Sequence, residues 1–168
     1  LEKQHFFEIV CCELKLDAPK IDLTHWNEML DRIHHRDRTV HVALVGKYVR
    51  LHDAYLSVIE SLKHGGYESG AHIDIKWVES EDITPDTVER LLGDVQGIVV
   101  PGGFGDRGIE GMIEAARYAR EKNIPYLGLC LGMQIATIEF ARHVLGYADA
   151  NSREFNEDST HRVIDFMA

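Results

Sequence analysis

Apolar residues recur at helical spacing over the first seventeen positions, with Phe6, Phe7, Val10, Leu14 and Leu16 falling on one face. Pro19 interrupts that pattern. Trp26, Met29, Leu30 and Ile33 predict a second short helix, with Asp22 or Thr24 as candidate caps. The polar run His34-His35-Arg36-Asp37-Arg38 reads as a solvated joint. Its adjacent histidines lack a cysteine or carboxylate at ligand spacing, so no metal site is expected.

From residue 39 the texture changes. Thr39–Val45 reads as a strand ending at Gly46, and Asp53–His64 as a helix stopped by Gly65-Gly66. Ile73–Val78 alternates like a strand, and Thr84–Leu92 reads as a helix with Pro85 in its first turn. Gly97–Val100 and Ile124–Leu129 are continuous apolar runs, the pattern of strands buried on both faces. Gly108–Glu121 and Gly132–Leu145 complete the series as helices.

Strands alternating with helices predict an α/β fold, a mostly parallel sheet with helices on both faces. Residues 1–38 form a separate leading segment and 39–168 the α/β domain. Ligands on such sheets bind beyond the carboxyl ends of the strands. Four of those ends carry unusual residues: Gly46-Lys47-Tyr48, Glu79-Ser80, Pro101-Gly102-Gly103-Phe104-Gly105, and Cys130.

Composition narrows the function. The 168 residues carry 18 Lys plus Arg against 28 Asp plus Glu, a formal charge of −10. That balance argues against a nucleic-acid groove, which needs a basic stripe. No run is long and apolar enough for a membrane span, and the N-terminus lacks the features of a signal peptide. Three cysteines without regular spacing do not make a disulfide framework, so a cytoplasmic setting with reduced thiols is expected. The chain begins with Leu1 and ends in the apolar run Val163–Ala168, and both edges read as cuts in a longer protein.

The chemistry centres on Gly128-Leu129-Cys130-Leu131-Gly132-Met133-Gln134. A Gly-x-Cys-x-Gly at a strand-to-helix turn is the thiol form of a nucleophile elbow, and the glycines permit the sharp turn. The helix N-terminus behind the sulfur favours negative charge and hence the reactive thiolate. Cys11 and Cys12 have no such setting. Attack on a carboxamide creates an oxyanion that needs preorganised donors. The N–H of Leu131 is one candidate, and Gly103, in the glycine-rich turn after a neighbouring strand, is the other. Gly46-Lys47 is not a P-loop, because Tyr48 stands where Ser or Thr is required.

The pairing of Pro101–Gly105 with Gly128–Gln134 resembles the class I glutamine amidotransferases. Val45–Tyr48, Asp53-Ala54-Tyr55, Ser57–Glu60, Gly105–Gly111 and Ala150-Asn151-Ser152 resemble the glutaminase domain of the CTP synthase family in particular. Residues 1 to about 38 are similar to the last helices of that family's synthetase domain and its linker. The resemblance implies L-glutamine as substrate, a glutamyl thioester on Cys130, and ammonia for the amination of UTP to CTP. It implies glutamine contacts from Gly103, Leu131, Gly132, Met133, Gln134 and Glu154, with Glu154 on the α-amino group. ATP and Mg²⁺ would act at the synthetase domain, GTP as an activator, and the full-length protein as a homo-tetramer.

A thiol of this type needs a histidine base and an orienting carboxylate. In the family both lie beyond the point where this sequence stops. His143 is turns away on the elbow helix, and His161 has only Asp158 or Asp165 as evident carboxylates. The 168 residues alone are therefore expected to be inactive. Three other readings compete: an elbow-cysteine protein of another class, a catalytically dead binding or regulatory module, and the glutaminase of a different synthetase.

Overall fold

The computed structural model describes residues 2–18 and 21–167. Pro19, expected to break the leading helical pattern, and the terminal Ala168 lie outside them. A 3₁₀ turn at Glu2–Gln4 leads into α1 (Phe6–Glu13), and α2 spans Thr24–His34. The Asp22 carboxylate accepts the Thr24 N–H at 2.9 Å, so Asp22 serves the first turn of α2. His34 and His35 close its other end, their Nδ1 atoms lying 2.7 and 2.9 Å from the carbonyls of Leu30 and Asp31.

Four parallel strands follow: β1 (Arg38–Gly46), β2 (Ala71–Glu79), β3 (Gly97–Val100) and β4 (Tyr126–Gly128). They lie in the order β2-β1-β3-β4. Between them run α3 (Leu56–Glu68), α4 (Val88–Leu92) and α5 (Ile109–Lys122), and α6 (Leu131–His143) follows β4. Alternate residues of a strand face opposite sides. Ala43, Val45, Ile98 and Val100 pack with the buried faces of α4, α5 and α6. Val42, Leu44 and Val99 face the other way, onto Tyr55 and, on α3, Val58 and Leu62. The chain thus leaves β1 toward one edge and returns to β3 on β1's other side. The ends of β1 and β3 form the crevice where ligands of such sheets sit.

Several expected boundaries move. Gly65-Gly66 does not stop α3, which runs on to Glu68. A Cβ on Gly66 would come within 2.7 Å of the Ala71 carbonyl and the Ile73 side chain, so this glycine lets α3 approach β2. Gly70, at φ +61°, follows the real end of the helix. The start expected at Thr84-Pro85 is a turn, with the Thr84 carbonyl accepting the N–H groups of Thr87 (3.1 Å) and Val88 (2.9 Å). The Thr87 hydroxyl ties that turn to the Asp82 carbonyl at 2.7 Å, and regular helix starts only at Val88.

The strand expected over 124–129 is three residues long and not buried on both faces, with Leu127 50% exposed. Among the described residues β4 is the sheet's edge. A two-stranded parallel sheet, β5 (Asn151–Ser152) with β6 (Arg162–Ile164), was not anticipated. Among the described residues no helix is long and apolar enough to cross a membrane.

Candidate active site

β4 brings the chain to Leu129, whose N–H donates to the Val100 carbonyl at 2.9 Å. At Cys130 the backbone swings to φ 53°, ψ −102° and enters α6. The Cys130 carbonyl accepts the N–H groups of Met133 (3.1 Å) and Gln134 (3.3 Å), which starts the helix. A Cβ on Gly128 would run into the backbone of Gly132, and one on Gly132 into the Val100 carbonyl. Glycine at both flanking positions is therefore what lets strand and helix close around the cysteine. Tyr126 adds a strap, donating from Oη to the Gly132 carbonyl at 2.8 Å. Burial pushes its phenol well above the usual range, which keeps it a donor. Cys130 is exposed at the apex, whereas Cys11 and Cys12 lie on α1.

The loop after β3 lies along this elbow. A Cβ on Gly102 would stand 3.6 Å from that of Cys130, and one on Gly103 would stand 3.3 Å from a Leu131 methyl. Among the described residues no acceptor takes the N–H of Gly103 or of Leu131. Two main-chain donors thus stand unpaired beside an exposed thiol.

The loop is gripped from both sides. Lys47, 3% exposed at the end of β1, donates from Nζ to the carbonyls of Phe104 (3.1 Å) and Gly105. Burial lowers the pKa of its ammonium, and the charge of Arg107 lowers it further. From the other side the Glu154 carboxylate accepts the Gly105 N–H at 3.4 Å. Arg107 donates to the Lys47 carbonyl and pairs with Glu81 at 2.6 Å, tying the loop to the end of β2. Tyr55 Oη accepts the N–H groups of Lys47 (3.2 Å) and Tyr48 (3.3 Å).

Gln134 and Glu154 line one cavity of about 160 Å³ with Ser152, Arg153, Asp165 and Phe166. The Ser152 hydroxyl accepts the Glu154 N–H at 3.2 Å and sets the turn that carries the carboxylate. Gly132 is buried in the elbow. The Met133 side chain, 59% exposed, lines a different groove with Tyr126 and Phe140, so Met133 joins the elbow only through its main chain, its N–H bonded to the Cys130 carbonyl.

No histidine among the described residues is hydrogen-bonded to Cys130. His143 pairs with Glu139 at 3.3 Å. His161 does have an orienting carboxylate, but it is Asp149 at 2.5 Å, not Asp158 or Asp165. Its ring stacks on Tyr147 with centroids 4.4 Å apart, at the far end of α6 from Cys130. Asp165 is taken by Arg153 at 3.3 Å. Among the described residues no group of three or more His, Cys, Asp or Glu side chains is placed to hold a metal.

Residues 50–167 match the family described as Glutamine amidotransferase class-I. The chain belongs to the class I glutamine amidotransferase family. It is 57% identical over 168 residues to a Levilactobacillus brevis protein named CTP synthase, covering all of this chain and 31% of that relative. A Streptococcus mutans CTP synthase is 53% identical over 167 residues, covering 99% of this chain and 31% of the relative. The chain thus spans about a third of the length of these curated relatives. Among solved structures it resembles the Trypanosoma brucei CTPS glutaminase domain with bound acivicin, at TM-score 0.72 and 46% identity. That match covers 76% of this chain and 50% of the other. The α/β fold with a mostly parallel sheet is that of the class I amidotransferase family.

Proposed function

We propose that this chain is the glutaminase portion of a CTP synthase, hydrolysing L-glutamine through a thioester on Cys130. The Cys130 thiolate attacks the carboxamide carbon, and the oxygen becomes an oxyanion between the N–H groups of Gly103 and Leu131. Collapse breaks the C–N bond and, with one proton delivered to nitrogen, releases ammonia. Water then cleaves the thioester to glutamate and restores the thiol. Gln134 and Glu154, together in the small cavity, hold the amino-acid end of the substrate, Glu154 by its carboxylate on the α-amino group. Gly132 and Met133 contribute through the elbow's main chain. The base is a histidine held by a carboxylate outside the described residues, as the family resemblance implies.

The observation that carries this reading is an exposed cysteine at a glycine-flanked elbow, with two unpaired N–H donors beside it. The same reading sends the ammonia to an ATP- and Mg²⁺-dependent amination of UTP elsewhere in the longer protein. It also carries GTP activation, a homo-tetramer and a cytoplasmic location, which rest on the resemblance alone.

The test is CTP formation by the full-length protein and its Cys130→Ala variant, fed either glutamine or ammonia. The variant is expected to lose the glutamine-supported reaction and keep the ammonia-supported one. Unchanged glutamine-supported synthesis by Cys130→Ala would end the proposal.

A further inference from the structure

The Lys47 side chain is almost wholly buried, yet it ends on neither a carboxylate nor solvent. Its aliphatic stem passes beneath Gly103, where a Cβ on that glycine would lie 3.7 and 3.8 Å from Lys47 Cδ and Cε. Its ammonium reaches two consecutive main-chain carbonyls, those of Phe104 and Gly105. Gly105 has φ +76°, and Phe104 is 83% exposed, so the loop gains little from packing of its own side chains. A free loop of this kind would sample many orientations of the Gly103 peptide plane. The backbone of Lys47 is itself held, its N–H by the Tyr55 hydroxyl and its carbonyl by Arg107.

We propose that Lys47 is a positioning residue for the glutaminase reaction, clamping the Phe104 and Gly105 carbonyls so that the Gly103 N–H faces the oxyanion. The proposal rests on the oxyanion role assigned to Gly103 above. A hydrogen-bond donor matters here because it selects the direction in which successive peptide groups point. A buried side chain that merely fills space would not need one. Displacing a donor by about 1 Å costs a reaction of this type on the order of 100-fold.

The test is steady-state glutamine hydrolysis by the full-length protein, its Lys47→Met and Lys47→Arg variants, and Cys130→Ala as control. Lys47→Met keeps the buried length and removes the donor. It is expected to lower kcat about 10- to 100-fold with KM within about twofold, because the clamp acts in the transition state. Alkylation of Cys130 by iodoacetamide should proceed at the wild-type rate, and Lys47→Arg should recover most of the lost kcat. If kcat in Lys47→Met stays within about threefold of wild type while Cys130→Ala is inactive, the inference fails and the function stands. It fails equally if Lys47→Arg is no better than Lys47→Met. An active Cys130→Ala removes instead the reading beneath it. Should Lys47→Met not fold, Lys47→Leu, which likewise removes the donor and leaves an apolar side chain, replaces it with the same two outcomes.

Discussion

Cys130 holds φ 53° and ψ −102°, a conformation that glycine adopts freely and that costs another residue about 1–3 kcal/mol. The strain persists because β4, α6 and the flanking glycines fix both sides of the turn. Cys130→Gly should therefore be more stable to denaturant than Cys130→Ala, by about 1 kcal/mol, with neither variant expected to turn over glutamine. Equal midpoints would mean the backbone is not strained. The neighbouring glycines divide into two kinds. Gly128→Ala and Gly132→Ala place a methyl against backbone and should each lose about 3 kcal/mol or more of stability. Gly103→Ala meets side chains alone, a Leu131 methyl at 3.3 Å and the Lys47 stem at 3.7 and 3.8 Å, so its melt should stay near wild type while glutamine turnover falls about 10- to 100-fold. The elbow was legible in the sequence because its whole rule lies within five consecutive residues. Lys47 was not, since its partners lie 57 and 58 positions away and only the sheet brings them together. His161 illustrates the same limit, because its carboxylate came from a loop twelve residues upstream.

At the scale of elements, continuous apolar runs were readable even when short, and the two- and three-residue strands of the second sheet were not. β1 and β3 carry uninterrupted apolar runs, and burial on two faces is the direct consequence. β5 and β6 have two and three residues, too few for any periodicity to register. Glycine in α3 misled because helix-stopping and close packing look alike in sequence. The two can be separated. Gly65 meets nothing within 4 Å, so Gly65→Ala should stabilise the protein by about 0.5–1 kcal/mol, whereas Gly66→Ala should destabilise it against β2. Thermal melts of the two variants check this, and shifts of the same sign would contradict it.

The segment between α6 and β6 offers a pH test. The Asp149 carboxylate accepts from the Thr160 hydroxyl (2.6 Å) and N–H (2.7 Å) and faces His161, which hold its pKa well below the usual carboxylate range. A lowered folded-state pKa contributes stability that is complete above the unfolded value of about 3.9 and is lost as pH falls toward the folded one. Melting temperatures of wild type and Asp149→Asn should therefore differ at neutral pH and converge as pH drops below about 4. A gap independent of pH would show that the carboxylate charge contributes nothing.

For the molecule as a whole, apolar surface is concentrated where the described chain lacks cover. Grooves of about 600 and 310 Å³ run beside β4, one past Met133 and Phe140, the other past Leu127 and Leu129. α1 buries no residue, with Phe6 53% and Ile9 54% exposed. These surfaces accord with a chain that spans 31% of its curated relatives. With no histidine bonded to Cys130 among the described residues, the 168-residue polypeptide by itself should release no ammonia from glutamine above background. Turnover near that of the full-length protein would mean that a base within these residues has been overlooked. The covalent step on Cys130 can be trapped by mixing full-length protein with glutamine, quenching in acid within milliseconds, and mapping the peptides by mass spectrometry. A glutamyl group is expected on the peptide carrying Cys130, absent from those carrying Cys11 and Cys12 and absent in Cys130→Ala. Glutamine hydrolysis at full rate with Cys130 unmodified and the Cys130→Ala variant still active would contradict that step.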